Sequence, residues 1–200
     1  MTNAPWAAMK TPALLSFLTA LALIALAAAL AAPARGVTPG GVTTTSPELE
    51  AEEAAAAEAT APAGKAILVR GRAIPPADAP AVVRRVIAAA NQIRTKPYIW
   101  GGGHGRWWDS GYDCSGAVSF ALHGGELLSS PLPSGPMTGW GKPGRGRWIT
   151  VYANGGHAYA VIAGLRWDTA GNTHGTGPRW HKSLAAAAGG PFIARHPVGY

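Results

Sequence analysis

The stretch "YDCSGAVSFAL" at residues 112–122 contains the only cysteine of this 200-residue chain. An apolar run follows the cysteine directly and ends near Gly124-Gly125, which predicts a short buried helix over residues 115–123. Asp113 is suited to cap the start of that helix. A cysteine at a helix N-terminus has a lowered pKa and is a potential nucleophile, whereas a buried cysteine elsewhere is usually an inert apolar residue. The function of the chain therefore depends on which of these Cys114 is.

Around this stretch, the sequence predicts helices first and strands afterwards. Residues 77–95 place apolar side chains at helical spacing, with a start near Pro80, and indicate an amphipathic helix. A loop rich in Pro and Gly is expected over 129–146. The β-branched and aromatic runs that follow predict consecutive antiparallel strands, and they lie at 147–153, 157–163, 165–168 and 192–197. This order indicates an α+β domain.

The N-terminal segment is predicted to be a targeting or membrane segment. No charged residue occurs between Lys10 and Arg35, and the apolar run between them is long enough to cross a bilayer. A cation, an apolar run and the small-residue pattern Ala32-Pro33-Ala34 also fit a cleaved signal peptide. Residues 1–34 are thus a signal peptide or an uncleaved anchor. In both cases the rest of the chain is expected outside the cytoplasmic membrane.

Residues 35–64 are predicted to be a disordered linker, and residues 65–200 the folded domain. The linker consists mainly of Ala, Pro, Thr, Gly and Glu, and it has too few large apolar side chains to offset the entropy of ordering. Within it, "SPELEAEEAAAAEA" is expected to be at most transiently helical, because Ala and Glu favour helices.

The folded part of the chain is basic. Residues 61–200 contain 15 Lys and Arg against five Asp and Glu, a formal net charge of about +10. Such a balance indicates an anionic partner, for example an anionic cell wall. The basic residues form no run and no recognisable nucleic-acid motif, so a nucleic-acid partner is not expected. The histidines lack metal-ligand spacing, so neither a metal nor another cofactor is expected.

Three blocks of the sequence together resemble the NlpC/p60 family of cell-wall cysteine peptidases. "KPYIWGGGHG" at 96–105 precedes the Asp-Cys-Ser-Gly at 113–116, and "GGHAYAVIAG" at 155–164 places a histidine at the start of a predicted strand. The resemblance covers roughly residues 80–200. It implies a papain-like α+β fold with N-terminal helices, a nucleophile helix and an antiparallel sheet.

The resemblance also implies roles for individual residues. Cys114 would be the nucleophile and His157 the general base, and Tyr98 would line the site. Asp113 and Ser115 would help to hold the free amine of a stem peptide; capping and packing of the helix are the alternative roles of this pair. The chain departs from the family where "PGRGRWITVYANGG" at 143–156 replaces the usual strand before the histidine.

The resemblance also implies a third catalytic residue about a dozen positions after the histidine; position 169 is Thr, and its neighbour Asp168 is the better candidate. Strand geometry tests this choice. If Ala163 and Gly164 form a two-residue hairpin loop, Asp168 lies on the same face as His157, within side-chain reach. A carboxylate there would orient the imidazole and stabilise its charged form. A three-residue loop would place Asp168 on the opposite face, and Asn172 or His174 would then be the alternatives.

The leading hypothesis is an exported cysteine peptidase that cleaves amide bonds in peptidoglycan stem peptides. An acyltransferase or hydrolase acting on lipids or other amides is one alternative, which an apolar groove beside Cys114 would favour. A non-catalytic wall-binding module is the other. Trp100, Trp107 and Trp108 either stack on a ligand at the site or pack in the core and at its rim. The sequence does not indicate an oligomeric state.

Overall fold

The computed structural model describes residues 46–172, 176–185 and 189–200. The predicted signal peptide or anchor at 1–34 and the alternative triad residue His174 therefore lie outside the described residues. In the part that is described, none of the helices has the length and apolar character needed to cross a membrane.

The described chain is a mixture of helices and antiparallel sheets, as the sequence predicts. The helices are α1 Pro47–Glu58, α2 Ala81–Ile93, α3 Cys114–Gly124 and α4 Ser134–Met137. The strands are β1 Ile67–Val69, β2 Arg72–Ile74, β3 Lys142–Pro143, β4 Ile149–Ala153, β5 Ala158–Ile162, β6 Leu165–Asp168, β7 Arg179–His181 and β8 Ile193–His196. Strands β1 and β2 form a hairpin, and the other six form one sheet in the order β3-β8-β4-β5-β6-β7. The expected α+β class is confirmed.

The core lies between the six-stranded sheet and helices α2 and α3. Alternate residues of β4 and β5 point to this side and are almost completely buried, as the side-chain period of two in a strand requires. Trp167 of β6 is fully buried, and its indole N–H donates to the carbonyl of Ala117 in α3. Helix α3 is therefore fixed against the sheet, and this contact positions its first residue.

The hairpin between β5 and β6 has the predicted two-residue loop. Ile162 pairs with Leu165, and the loop residues Ala163 and Gly164 have φ values of 46° and 82°. Positive φ at both positions is typical of a type I′ turn, whose twist matches that of the strands. The register that places Asp168 on the face of His157 is thus the observed one.

Several elements are absent from the sequence-based prediction. The loop expected over 129–146 contains the short elements α4 and β3, and strands β1, β2 and β7 are also new. Each has only two to four residues, which is too short for a periodic hydrophobic pattern. The last strand, β8, lies between β3 and β4.

Part of the segment predicted as a disordered linker is helical in the structure. Ser46 caps α1 by accepting a hydrogen bond from the backbone N–H of Leu49, and a proline occupies the first turn. Glu52 forms an ion pair with Arg94 and Glu53 with Arg72. The composition of the segment shows its helix propensity but not these long-range partners, and for this reason the sequence predicts only a transient helix. The domain boundaries stay a prediction.

Candidate active site

The start of α3 is held by the loop that contains the Pro-Tyr-Ile-Trp block. The backbone N–H of Tyr112 donates to Pro97 O at 3.0 Å, and that of Ile99 donates to Tyr112 O at 3.3 Å. Gly116 lies so close to the carbonyl of Gly102 that a Cβ atom there would overlap it. This contact explains why position 116 is a glycine. It also brings the glycine-rich block and the block around Cys114, which are separate in the sequence, into contact.

Asp113 is the N-cap of α3 and is 8% exposed. Its Oδ1 accepts hydrogen bonds from the N–H of Gly116 at 2.7 Å and from the hydroxyl of Ser115 at 3.2 Å. Its Oδ2 accepts from the N–H of Gly101 at 3.1 Å. Asp113 therefore acts as the helix cap, and its Oδ2 can accept one more hydrogen bond from another donor.

His104 adds to this cluster, and the sequence analysis does not assign it to the site. Its Nε2 lies 3.0 Å from Asp113 Oδ1 and 3.1 Å from Ser115 Oγ. It is therefore the third member of a hydrogen-bonded cluster directly beside Cys114. The only sequence signal is its position in the glycine-rich block at 101–105, and that position does not specify a partner.

On the other side of Cys114, His157 and Asp168 form a hydrogen-bonded pair. His157 Nε2 lies 2.9 Å from Asp168 Oδ1. Asn154 places the histidine, because its side-chain oxygen accepts hydrogen bonds from the backbone N–H groups of Gly156 and His157. With Nε2 engaged by Asp168, Nδ1 is the ring nitrogen that remains for Cys114.

The pKa of His157 is raised from 6.5 to about 9. Burial acts in the opposite direction, because it disfavours the charged imidazolium. Hydrogen bonds to Asp168 and Cys114, together with the negative charges of both groups, outweigh burial. The surroundings of His157 therefore favour its charged imidazolium form.

Asp168 is buried between two cations. Its side chain has no exposed surface, and Arg166 Nε lies 3.4 Å from its Oδ2 in an ion pair that lacks hydrogen-bond geometry. Arg166 itself is 3% exposed. Asp168 also accepts a hydrogen bond from the N–H of Ala170 at 2.9 Å. The carboxylate therefore orients His157 and compensates a buried guanidinium at the same time.

Tyr98 lies close enough to Cys114 for that residue to affect the pKa of the tyrosine hydroxyl. Burial, and then the negative charges of Cys114 and Asp113, raise the pKa of its hydroxyl. The hydroxyl therefore stays protonated and is available as a hydrogen-bond donor. Among the alternatives for the third residue, the Asn172 side-chain amide instead donates to the carbonyls of Thr169 and Gly177.

The cleft at Cys114 has a volume of about 440 Å³ and is open to solvent. Trp100 lines it and is 86% exposed, so its ring is free to contact a ligand. Trp108 is also exposed, whereas Trp107 stacks on His123 with ring centroids 3.8 Å apart. Within the described ranges, no set of three His, Cys, Asp or Glu side chains is placed to hold a metal.

Comparisons with known proteins identify structural neighbours only. No family model and no curated protein matches the chain. Among solved structures, the peptidoglycan hydrolase RipB from Mycobacterium tuberculosis is 26% identical over 61% of this chain and 68% of its own, with a TM-score of 0.45.

Two further structures from the same organism are similar. A hypothetical invasion protein is 23% identical over 57% of this chain, with a TM-score of 0.42. RipD, described as a non-catalytic NlpC/p60 domain protein adapted to peptidoglycan binding, is 20% identical over 58%, with a TM-score of 0.41. The chain spans 61% of the invasion protein and 98% of RipD. With TM-scores below 0.5, these likenesses establish neither a family nor an activity.

Proposed function

We propose that this chain is an exported cysteine peptidase that hydrolyses amide bonds in peptidoglycan stem peptides. The observation that carries the proposal is the hydrogen-bonded pair of His157 and Asp168 beside Cys114, the first residue of α3. A nucleophile, a base and a group that orients the base are the three parts that covalent acyl transfer requires. The resemblance of three sequence blocks to the NlpC/p60 family supports the substrate class.

The reaction follows from the positions of these groups. His157 takes the proton of the Cys114 thiol, and the thiolate attacks the amide carbonyl. The N–H of Gly116 is bound by Asp113. The other backbone N–H groups in the first turn of α3 have no acceptor within the helix, and they donate to the oxyanion that forms. As the C–N bond breaks, the imidazolium gives its proton to the departing amine. His157 then deprotonates a water, and the resulting hydroxide attacks the thioester carbonyl. As the C–S bond breaks, the imidazolium returns its proton to the sulfur, which releases the acid and the free thiol.

Recognition of the substrate would use the opposite side of the cleft. The open acceptor position on Asp113 Oδ2 fits a protonated amine, as the family resemblance implies for the free end of a stem peptide. Tyr98 would donate a hydrogen bond from its protonated hydroxyl. The exposed ring of Trp100 would pack against the peptide. By the same resemblance, the bond cleaved lies next to a D-configured γ-glutamyl residue.

The lining of the cleft gives no support to a lipid substrate. Besides Trp100, the described side chains that face it are polar or belong to glycine and proline, and none is a long aliphatic chain. The lining thus lacks the long aliphatic side chains that would pack along an acyl chain. A peptide, which brings amide and carboxylate groups, fits this lining better.

The test is digestion of purified muropeptides by the full-length protein, followed by mass spectrometry. The expected result is a pair of fragments whose summed mass exceeds that of the substrate by one water. Muropeptides that remain intact but co-purify with the protein would instead support a non-catalytic wall-binding module. Transfer of the acyl group to an added amine without net hydrolysis would support an acyltransferase.

Export is tested separately from catalysis. A reporter that is active only outside the cytoplasmic membrane is fused behind residue 60. The apolar segment after Lys10 leads us to expect an active fusion. An inactive reporter, with a control fusion to an established signal peptide active in the same cells, would contradict the proposed location.

A further inference from the structure

The outer face of strands β4 and β5 carries a second groove, distinct from the cleft at Cys114. Two cross-strand pairs lie on it, Thr150 with Val161 and Tyr152 with Tyr159. The intervening residues of both strands point to the other side, into the helix-packed core. The groove has a volume of about 640 Å³. We call it the basic groove because of the side chains at its rim.

Exposed cations line the basic groove. Lys65, Arg145 and Arg147 surround it, and all three are exposed. An adjoining cavity of about 340 Å³ shares Lys65 with the groove and has Lys182 on its lining. Among the described residues that line the two cavities, there is no Asp or Glu. The two cavities thus present four cations along one surface.

The acids of the chain are used elsewhere. The ten Asp and Glu include only one after Glu126, which is Asp168. Within the described ranges, the carboxylates that form ion pairs do so with cations outside the basic groove: Glu52, Glu53, Asp109, Asp113, Glu126 and Asp168. None of these pairs involves Lys65, Arg145, Arg147 or Lys182. The four cations are therefore available to an external anion.

We propose that the basic groove binds an anionic polymer whose repeating units are joined by phosphodiesters, with a polyol or sugar backbone. A guanidinium group can donate two parallel hydrogen bonds to two oxygens of one phosphate. Single exposed contacts are weak, so affinity requires several charges bound at once along one chain. A groove with four cations in two adjoining cavities provides for this multivalent binding.

The aromatic pair in the groove disfavours a nucleic acid as the ligand. Tyr152 and Tyr159 stack on each other, with ring centroids 4.9 Å apart and an angle of 11° between the ring planes. Tyr159 is only 5% exposed, so its ring face is not open. Single-stranded nucleic acids bind through bases that stack on free aromatic faces. Phosphates linked by small polyols need only the cations and the tyrosine hydroxyls.

The basic groove is close to the proposed catalytic histidine. The rings of Tyr159 and His157 are 6.4 Å apart, and Arg145 is near enough to affect the Tyr159 hydroxyl. A polymer held in the groove would keep the protein on an anionic matrix next to its substrate. Binding itself does not require Cys114, so this proposal stands or falls separately from hydrolysis.

The experiment measures binding of fluorescent poly(glycerol phosphate) to the full-length protein by anisotropy, at several salt concentrations. The test variant replaces Lys65, Arg145 and Arg147 with Gln. The control replaces Arg70, Arg85 and Arg106, exposed cations away from the groove, and changes the net charge equally; two of them, Arg85 and Arg106, are ion-paired. We expect the test variant to lose about tenfold or more in affinity and about two in the slope of log K against log salt. The control should change by less than about twofold.

Three results would overturn the proposal. The first is absence of binding by the unchanged protein at physiological salt, and the second is an equal loss in both variants, which would show net charge alone at work. The third is equal or tighter binding of either a polygalacturonate or a single-stranded DNA of the same charge, which would assign the groove to carboxylates or to nucleic acid. Muropeptide hydrolysis by the test variant serves as the check on folding, together with circular dichroism.

Discussion

Two histidine–carboxylate pairs flank Cys114, and their geometry is nearly the same. In one, His104 Nε2 lies 3.0 Å from Asp113 Oδ1; in the other, His157 Nε2 lies 2.9 Å from Asp168 Oδ1. The distances alone do not distinguish a general base from a structural histidine. The surroundings of the two carboxylates differ, and that difference is the basis for the roles proposed for the two histidines.

Asp113 accepts hydrogen bonds from donors at the start of α3 and in the glycine-rich loop, whereas Asp168 is buried against Arg166 and accepts from His157 and from the N–H of Ala170. Besides His104, Asp113 accepts from two backbone N–H groups and the Ser115 hydroxyl. Asp168 has no exposed side-chain surface, and its hydrogen bond and charge contribute to the raised pKa of His157. In the proposed mechanism, the first pair organises the start of α3 and the second orients the general base. The two pairs therefore differ in the other partners of their carboxylates and not in the distance between carboxylate and imidazole.

The largest effect is expected from Cys114→Ala, which removes the atom that both pairs flank. Turnover should fall to the uncatalysed background, while the melting temperature changes little because the side chain is small and partly exposed. Product formation from muropeptides and a thermal melt provide the two measurements. In the unchanged protein, iodoacetamide should label Cys114, because its side chain is partly exposed. Activity that survives in the Ala variant would show that Cys114 is not the nucleophile, and the two histidine–carboxylate pairs would then not flank a catalytic residue.

His157→Gln should have the next largest effect. General base catalysis typically contributes about 10²–10⁴-fold, so turnover should fall within that range. The same change at His104 should leave turnover within about threefold, because a Gln amide still donates to Asp113 and Ser115. Initial rates at saturating substrate make the comparison. Equal losses in the two variants would show that both histidines take part in the proton transfers.

Asp168→Asn should lower turnover by at least about tenfold, equivalent to about 1.4 kcal/mol in the barrier. It should also lower the melting temperature, because the buried Arg166 would lose its counter-charge. Rates must therefore be measured at a temperature where circular dichroism shows the variant to be folded. An unchanged rate in that folded variant would remove Asp168 from the proposed triad.

The pH profile gives a finer test of the same pair. A raised pKa means that the imidazolium is stabilised fully below pH 6.5 and that this contribution is lost as the pH rises through about 9. The alkaline limb of kcat/KM should therefore lie near pH 9, and it should move to lower pH in Asp168→Asn. An alkaline limb that stays in place would mean that the Asp168 carboxylate does not determine the pKa of His157.

The smallest effect is expected from His104→Leu, which removes the donor but keeps a similar size. Without it, Asp113 and Ser115 lose one partner, and KM should rise severalfold while kcat changes by less than about threefold. His104→Gln should restore KM, since its amide donor reaches the same atoms. A drop in kcat that Gln does not rescue would give His104 a part in the chemistry.

Much of this site follows from local patterns in the sequence. The Asp-Cys-Ser-Gly block before an apolar run predicts the capped helix, because capping and periodicity act over a few residues. The parity of a two-residue hairpin predicts that Asp168 faces His157, because side chains of a strand alternate in direction. Helix α1 escapes this reasoning because its ion-pair partners, Arg94 and Arg72, are distant in the chain. The short strands escape it because so few residues show no periodic pattern.

What the sequence by itself determined is the α+β order of elements, the capped start of the helix at Cys114 and the face of Asp168. Each depends on interactions between residues close in the chain. Only the tertiary structure decided that His104 meets Asp113, that Arg166 is buried against Asp168 and that Lys65 joins Arg145 and Arg147 at one groove. These contacts depend on how separate loops and strands pack. The free energy of that packing comes from many residues that are distant in the sequence, so a local sequence pattern cannot predict it.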